Sequence, residues 1–300
     1  MNLLLRLGKK PVLAINFAGA RLNLLLFKQR EVLAMDSLLL PRTVLEGGLY
    51  RDPERIGLEI ALWLQQRRQS PAELWAAVHD AEVIMEAVNI SGLLPVELKS
   101  AALYDSQSRR FADTKMAAAA VVPAPSTHPH LALVGWLPVQ FQGALEKIAQ
   151  AAGLHLRVLT LEALAWAQLL DDQAPSNIII AKKTDIHTIM VFRRPELIYF
   201  KNYQPDWVTA PEIALGNYLS VMEHAVSGED RAAGRLTFIG DSTAAEKSKL
   251  NVWAERFKYG ISYLEAVPAE HWTGWTPDMG VNIPLFSQLS LLWLARGRWS

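Results

Sequence analysis

Two segments, VLAINFAGARLNLLLF at 12–27 and NIIIAKKTDIHTIMVF at 177–192, align without a gap at a constant offset of 165 residues. The first opens with an apolar run, breaks at Ala18-Gly19-Ala20, and resumes as a second apolar run too short for a helix, which reads as strand, tight turn, strand. Each copy continues through a turn (Lys28 to Glu31, Arg193 to Glu196) into a third apolar run, Val32 to Met35 and Leu197 to Phe200. A spacing this long does not suit a solenoid and suggests a duplicated domain with two similar halves.

A length of 300 residues exceeds what one hydrophobic core usually organises, which agrees with two lobes. The apolar fraction of 51% and charged fraction of 20% describe a folded chain with a sizeable core. Lys+Arg and Asp+Glu are both 30, so no net field draws in nucleic acid or an anionic membrane surface. Without cysteine, disulfides, thiol catalysis and cysteine metal sites are excluded, which is compatible with a reducing cytoplasm. No stretch reaches the roughly eighteen apolar residues a bilayer requires. The best candidates, Met116 to Val122 and Leu285 to Ala295, are too short or contain polar positions, and the apolar start Met1 to Leu5 is interrupted by Gly8-Lys9-Lys10 with no small-residue cleavage site. The chain is expected to be soluble and to reach a membrane only through a partner.

Asp52-Pro53-Glu54 predicts a helix start, with Ile56, Ile60, Trp63 and Leu64 as its buried stripe. Between about 72 and 139 the pattern changes to short extended runs at Leu74 to Val78, Val83 to Ile90 and Met116 to Val122, a short helix at Pro95 to Tyr104, and a Pro-rich connection at 123–130. This region is expected to be a small inserted subdomain. Strands then alternate with helices. Phe141, Leu145, Ile148 and Ala152 form a helical stripe closed by Gly153, Leu154 to Leu159 reads as a strand, and Leu161 begins a further helix. After the second hairpin come a helix at Pro211 to Val226, a strand at Leu236 to Ile239 ending in Gly240-Asp241-Ser242, and a helix carrying Leu250, Trp253, Phe257 and Ile261. A strand at Tyr263 to Val267 and a last helix with Leu285, Leu289, Leu292, Trp293 and Arg296 complete the chain, the helix packing back on the first lobe. The expected organisation is therefore a first lobe at 1–165 with its insert, completed by a helix at 285–300, and a second lobe at 166–284.

Two α/β lobes, each opened by a three-stranded meander, resemble the actin-like, ribonuclease H-like ATPase superfamily with its duplicated mixed-sheet domains. Within it the chain resembles the PilM group of type IV pilus assembly, related to the cytoplasmic domain of the type II secretion protein GspL. The resemblance rests on the two hairpins, on Leu40-Pro41 with Val44, Gly47-Gly48-Leu49 and Asp52-Pro53-Glu54, on Ala151-Ala152-Gly153-Leu154 leading into Leu159 to Ala165, and on the ending Leu291 to Gly297. It covers nearly the whole chain. The resemblance implies a cytoplasmic scaffold at the inner-membrane platform, gripping the cytoplasmic tail of a PilN-like membrane protein and contacting the assembly or secretion ATPase.

Members of the superfamily hold ATP and magnesium between the lobes, with a phosphate loop from each hairpin. Here the first loop has neutral Asn16 at the acidic position and Ala18 where a glycine is usual, followed by Gly19 and Ala20. The second has Ala181 at the acidic position and Lys183 at the glycine position, followed by Thr184 and Asp185. The meander lacks a Gly-Gly pair at Lys201 to Asp206, and Gly240-Asp241 retains one glycine of the purine loop. The expectation is a degenerate nucleotide site with no catalytic residue, no cofactor and no metal. The alternative is an ATP-binding member in which Asn16 and Asp185 hold magnesium through water and Lys182 and Lys183 grip phosphate as point charges; the other reading of these lysines is solvated hairpin residues. A sugar kinase of the superfamily would lack the same carboxylates.

Other constellations carry less. His128 and His130 lie among prolines with no carboxylate nearby, His187 is expected in a strand at the lobe interface, Asp171-Asp172 reads as a solvated turn, and no Gly-x-Ser-x-Gly elbow is present. Ten tryptophans suggest one or two at a partner surface, among Trp207, Trp272, Trp275 and Trp299. A partner peptide is expected to add to an exposed strand edge or to lie in an apolar channel, with Leu74, Ala76, Val78, Ala118 and Ala120 as candidate walls.

Overall fold

The computed structural model describes residues 10–18, 20–29, 31–41, 45–46, 49–78, 84–89, 116–122, 131–166, 174–183, 187–193, 196–203, 234–265, 274, 276, 283 and 285–296. The helices expected at Pro95 to Tyr104 and Pro211 to Val226, the His128 and His130 pair, Asp171-Asp172, and Trp207, Trp272, Trp275 and Trp299 lie outside them.

The first meander is β1 (Val12–Ala18), β2 (Arg21–Lys28) and β3 (Glu31–Leu39), followed by the short β4 (Leu45–Glu46) and β5 (Leu49–Tyr50) and by α1 (Pro53–Gln66). Then come β6 (Glu73–Val78), β7 (Ile84–Asn89), β8 (Met116–Val122), β9 (Leu131–Pro138), α2 (Val139–Ala151), β10 (His155–Leu161) and α3 (Glu162–Trp166). The second half consists of β11 (Ser176–Lys182), β12 (His187–Arg193), β13 (Glu196–Tyr203), β14 (Gly234–Ile239), α4 (Ala244–Phe257), β15 (Tyr259–Leu264) and α5 (Leu285–Arg296).

Two five-stranded mixed sheets have the same order, β3-β2-β1-β6-β10 and β13-β12-β11-β14-β15. The duplication extends to register. Val12 pairs with Phe27 and Asn177 with Phe192, and the pairing to the third strand slips by one residue between Leu26 and Phe27 and again between Val191 and Phe192. A bulge repeated at the same offset shows that the halves share their local bends as well as their topology.

The core follows from strand parity. Leu13, Ile15 and Phe17 point to the face of the first sheet covered by α1 and α2, and Ile178 and Ile180 to the core that includes Leu250 and Trp253 of α4. Val12 and Ala14 of β1, with Ile179 and Ala181 of β11, point the other way into a third core. Trp166 of α3 and Leu289, Leu291 and Leu292 of α5 belong to that core, so the lobes share one apolar interior across their boundary. The last helix thus lines the interior that residues of both hairpins reach.

Several local expectations hold for stated reasons. Asp52 caps α1 by accepting from the Arg55 amide at 3.0 Å, with Pro53 in the first turn. Gly153 has φ of 71°, the left-handed conformation that ends α2. Others are corrected. Ile261 is not on the helix of Trp253, because Lys258 takes φ of 60° and caps α4, and the chain turns into β15. The run Leu74 to Val78 is not part of the insert: β6 bonds in parallel to both β1 and β10, at the heart of the first sheet. The separate three-stranded sheet is β7-β9-β8.

Gly57 sets the crossing of α1 and α2. A Cβ there would lie 2.5 Å from both the Ala151 Cβ and the Ile148 carbonyl oxygen. Gly57→Val is expected to force the helices apart and to destabilise the first lobe by about 2 kcal/mol, the usual range for overpacking. An unchanged denaturation midpoint would show that the two helices yield freely.

Candidate functional site

The two hairpins are linked through Glu162 of α3, which bonds Asn16 of the first and Lys183 of the second. Because β1 alternates, Asn16 shares the inner face of Val12 and Ala14, and it is fully buried. Its amide donates to the Ala77 carbonyl at 3.1 Å and to Glu162 Oε1 at 2.7 Å, and its oxygen accepts from Asn23 at 3.4 Å. Ser37 in turn donates to Asn23 at 2.9 Å. Asn16, Asn23, Ser37 and Ala77 are direct register partners, so a polar row crosses β6, β1, β2 and β3. The second lobe keeps part of this row at the same offset: Ala181 pairs with Thr188, and Thr188 donates to Asn202 at 2.8 Å. The row ends at Ala181, which has no polar group to offer.

Lys183 follows β11 in the parity of Ile179 and Ala181 and turns inward. It is buried at 7% exposure, its ammonium paired with Glu162 and set 4.7 Å from the Trp166 ring centre and 5.8 Å from that of Phe286. Glu162, at 1% exposure, begins α3. The network continues into α5: Ser290 Oγ accepts from Trp166 Nε1 at 3.0 Å, and lies 3.2 Å from Glu162 Oε1 and 2.7 Å from the Phe286 carbonyl oxygen. A carboxylate from the end of the first lobe, a lysine from the second hairpin and a serine from the last helix therefore form one buried cluster. The reading of Lys183 as a solvated hairpin residue is corrected, since the fold brings a carboxylate to it.

Lys182 points to the opposite face, in the parity of Ile178 and Ile180. It bonds Glu246 at 2.8 and 3.0 Å, and Glu246 closes a capping box with Thr243 at the start of α4. Burial raises the Glu246 pKa, but the Lys182 and Thr243 hydrogen bonds and the Lys182 charge outweigh it and hold the carboxyl below its ordinary value. His187, buried in β12, is pushed below its ordinary value by burial and then by the Lys182 ammonium, against the pull of Glu246 and a backbone hydrogen bond at Lys183. Both pKa values are depressed on folding, so both groups stabilise most at high pH. Stability is expected to be full above about pH 6.5, to fall as the unfolded-state histidine protonates below that value, and to fall again below about 4.5 as Glu246 protonates. A His187→Gln variant should lack the first of these slopes in unfolding midpoints measured between pH 7.5 and 5, and an unaltered profile would remove His187 as its source.

Gly240 ends β14 with φ of 107°, and a Cβ there would lie 2.6 Å from the Lys182 carbonyl oxygen. Asp241 beside it is exposed, and Ala20 is half-buried. Gly19, Thr184 and Asp185 lie outside the described residues. Leu74, Ala76 and Val78 are buried in β6 with neighbours on both edges, so they offer no strand edge to a peptide. In the three-stranded sheet β8, which carries Ala118 and Ala120, bonds to β9 and lies at the edge. The described residues contain no group of three or more histidines and carboxylates placed to hold a metal.

No protein-family model matches the sequence, and no curated protein sequence matches it. Solved structures do match, along nearly the whole chain. A PilM–PilN type IV pilus biogenesis complex superposes with a TM-score of 0.66 at 11% identity, covering 96% of this chain and 99% of the other. A Bacteroides thetaiotaomicron protein described as having an actin-like ATPase fold and unknown function gives a TM-score of 0.50 at 8% identity, covering 87% and 94%. The fold is actin-like. The cytoplasmic domain of EpsL, an inner-membrane component of the type II secretion system of Vibrio cholerae, gives 0.53 at 12% identity and covers 97% of each chain.

An actin-like cleft can be tested for its usual occupant. A magnesium nucleotide needs carboxylates at the two strand ends and close backbone approach for phosphate. The strand ends offer Asn16, whose amide is committed to Glu162 and Ala77, and Ala181. The carboxylate beside them, Glu162, is tied to the Lys183 ammonium. Among the described residues, neither strand end offers the carboxylate that a magnesium nucleotide needs. Glu162, Trp166, Phe286 and Ser290 are the members of the site that sequence reading missed; Glu162 opens a helix of five residues, too short to show a periodic pattern.

Proposed function

We propose that this chain is a non-enzymatic actin-like scaffold of the inner-membrane platform in type IV pilus biogenesis or type II secretion, on the cytoplasmic side, and that it binds the cytoplasmic tail of a PilN-like membrane protein. The observation that carries this reading is the end-to-end match to a PilM–PilN structure, extending over 96% of this chain and 99% of the other. Two features of the chain stand beside it. A buried ion pair of the chain itself, Glu162 with Lys183, ties the second hairpin to α3. No helix among the described residues is long and apolar enough to cross a membrane. The assembly or secretion ATPase is the second expected partner.

For the tail, one of the two edge strands of the small sheet is β8, with Ala118 and Ala120. An extended peptide adding there would gain main-chain hydrogen bonds along the strand. A synthetic peptide copying the tail of the PilN-like protein should bind in a fluorescence anisotropy titration, and Ala118→Glu should weaken it by about tenfold or more, the equivalent of 1.4 kcal/mol. Absence of binding to the unaltered protein would contradict the scaffold reading. Binding that Ala118→Glu leaves unchanged would move the tail away from β8.

A further inference from the structure

The geometry points to an ammonium cage built between the lobes, made of the Glu162 carboxylate and the Trp166 and Phe286 rings, in which Lys183 acts as a tethered ligand that latches the second hairpin to α3 and α5. The inference is independent of the scaffold reading, because it concerns what holds the lobes together and stands whether or not a tail binds. Three observations carry it. The lysine and the carboxylate have side-chain exposures of 5% and 1%, so neither charge is solvated by water as surface ions are. The two rings flank the same ammonium, at 4.7 and 5.8 Å, and the ring faces supply negative potential where the carboxylate does not reach. The walls are themselves fixed, since Trp166 and Phe286 pack at 5.7 Å between ring centres and Trp166 and Glu162 both meet Ser290.

The three cage residues come from α3 and α5, whereas the ammonium comes from the turn after β11. The contact therefore crosses from the helices between the lobes to the second hairpin. The link between the two hairpins is a side chain, Glu162, bonded to Asn16 and to Lys183. The chemistry is that of alkylammonium recognition, by one carboxylate and two aromatic faces.

A cage of this kind should accept a free alkylammonium once its own lysine is shortened. Lys183→Ala should lower the melting temperature by about 10 °C, the scale expected when a buried charge loses its partner in a chain of this size. Adding n-propylammonium, the fragment the substitution removes, should raise the melting temperature of that variant by several degrees through mass action, with no such rise for the unaltered protein or with n-propanol. Amide exchange should quicken together in 162–166 and 179–183 and stay unchanged in α4. If Lys183→Ala does not fold, the neutral pair Glu162→Gln with Lys183→Met should fold and be more stable than Lys183→Met alone. The inference is overturned if Lys183→Ala melts with the unaltered protein, if n-propanol serves as well as n-propylammonium, if exchange quickens in the hairpin alone, or if the neutral pair is no more stable than Lys183→Met.

Discussion

Glu162→Leu is expected to lower the stability of the protein by about 3–5 kcal/mol, the largest single-residue effect in the first lobe, because breaking a buried ion pair leaves its partner charged and dry. Glu162 accepts from the Asn16 amide at 2.7 Å, lies 3.2 Å from Ser290 Oγ and pairs with the Lys183 ammonium, so its loss strands polar groups from three elements together. Leucine fills similar volume, which keeps a cavity from explaining the result. A fall in the urea midpoint with little change in slope would report this loss, since the slope follows the surface exposed on unfolding. A midpoint within experimental scatter of the unaltered protein would mean that the cluster is solvated in solution.

Gly240→Val is the second large effect. The position has φ of 107°, outside the range L-residues adopt comfortably, and a Cβ would lie 2.6 Å from the Lys182 carbonyl oxygen and 3.0 Å from the Phe286 ring. Backbone strain and steric overlap add, giving a cost of about 3 kcal/mol or more. The displaced groups are the strand end that carries Lys182 and a wall of the Lys183 cage, so second-lobe and interface amides should lose hydrogen-exchange protection together. Protection lost in the second lobe alone would show that the interface yields separately.

How far the sequence carried these conclusions depended on whether the signal was local. The hairpins were legible because period-two burial and a gap-free offset survive in the residues themselves, and even the bulge before Phe27 and Phe192 repeats. The start of α1 was legible from Asp52 and Pro53, since capping acts within one turn. Glu162 was not legible, because its partners Asn16 and Lys183 lie 146 and 21 residues away and no periodicity marks a five-residue helix. Lys183 misled for the matching reason: a lysine beside a turn is ordinarily solvated, and only the approach of α3 buries it. Leu74 to Val78 had a usable signal that was misread. A continuous apolar run suits a central strand buried on both faces better than the wall of a groove, and β6 is such a strand. Ile261 continued the spacing of Trp253 and Phe257, but the left-handed Lys258 ends the helix first.

The proposed scaffold role predicts that this actin-like fold does not bind a magnesium nucleotide. Titration calorimetry of the unaltered protein with ATP, run with magnesium and again with a chelator, tests it most directly. Heats matching dilution in both runs are the expected result. A saturable, magnesium-dependent heat with one site per chain would contradict it.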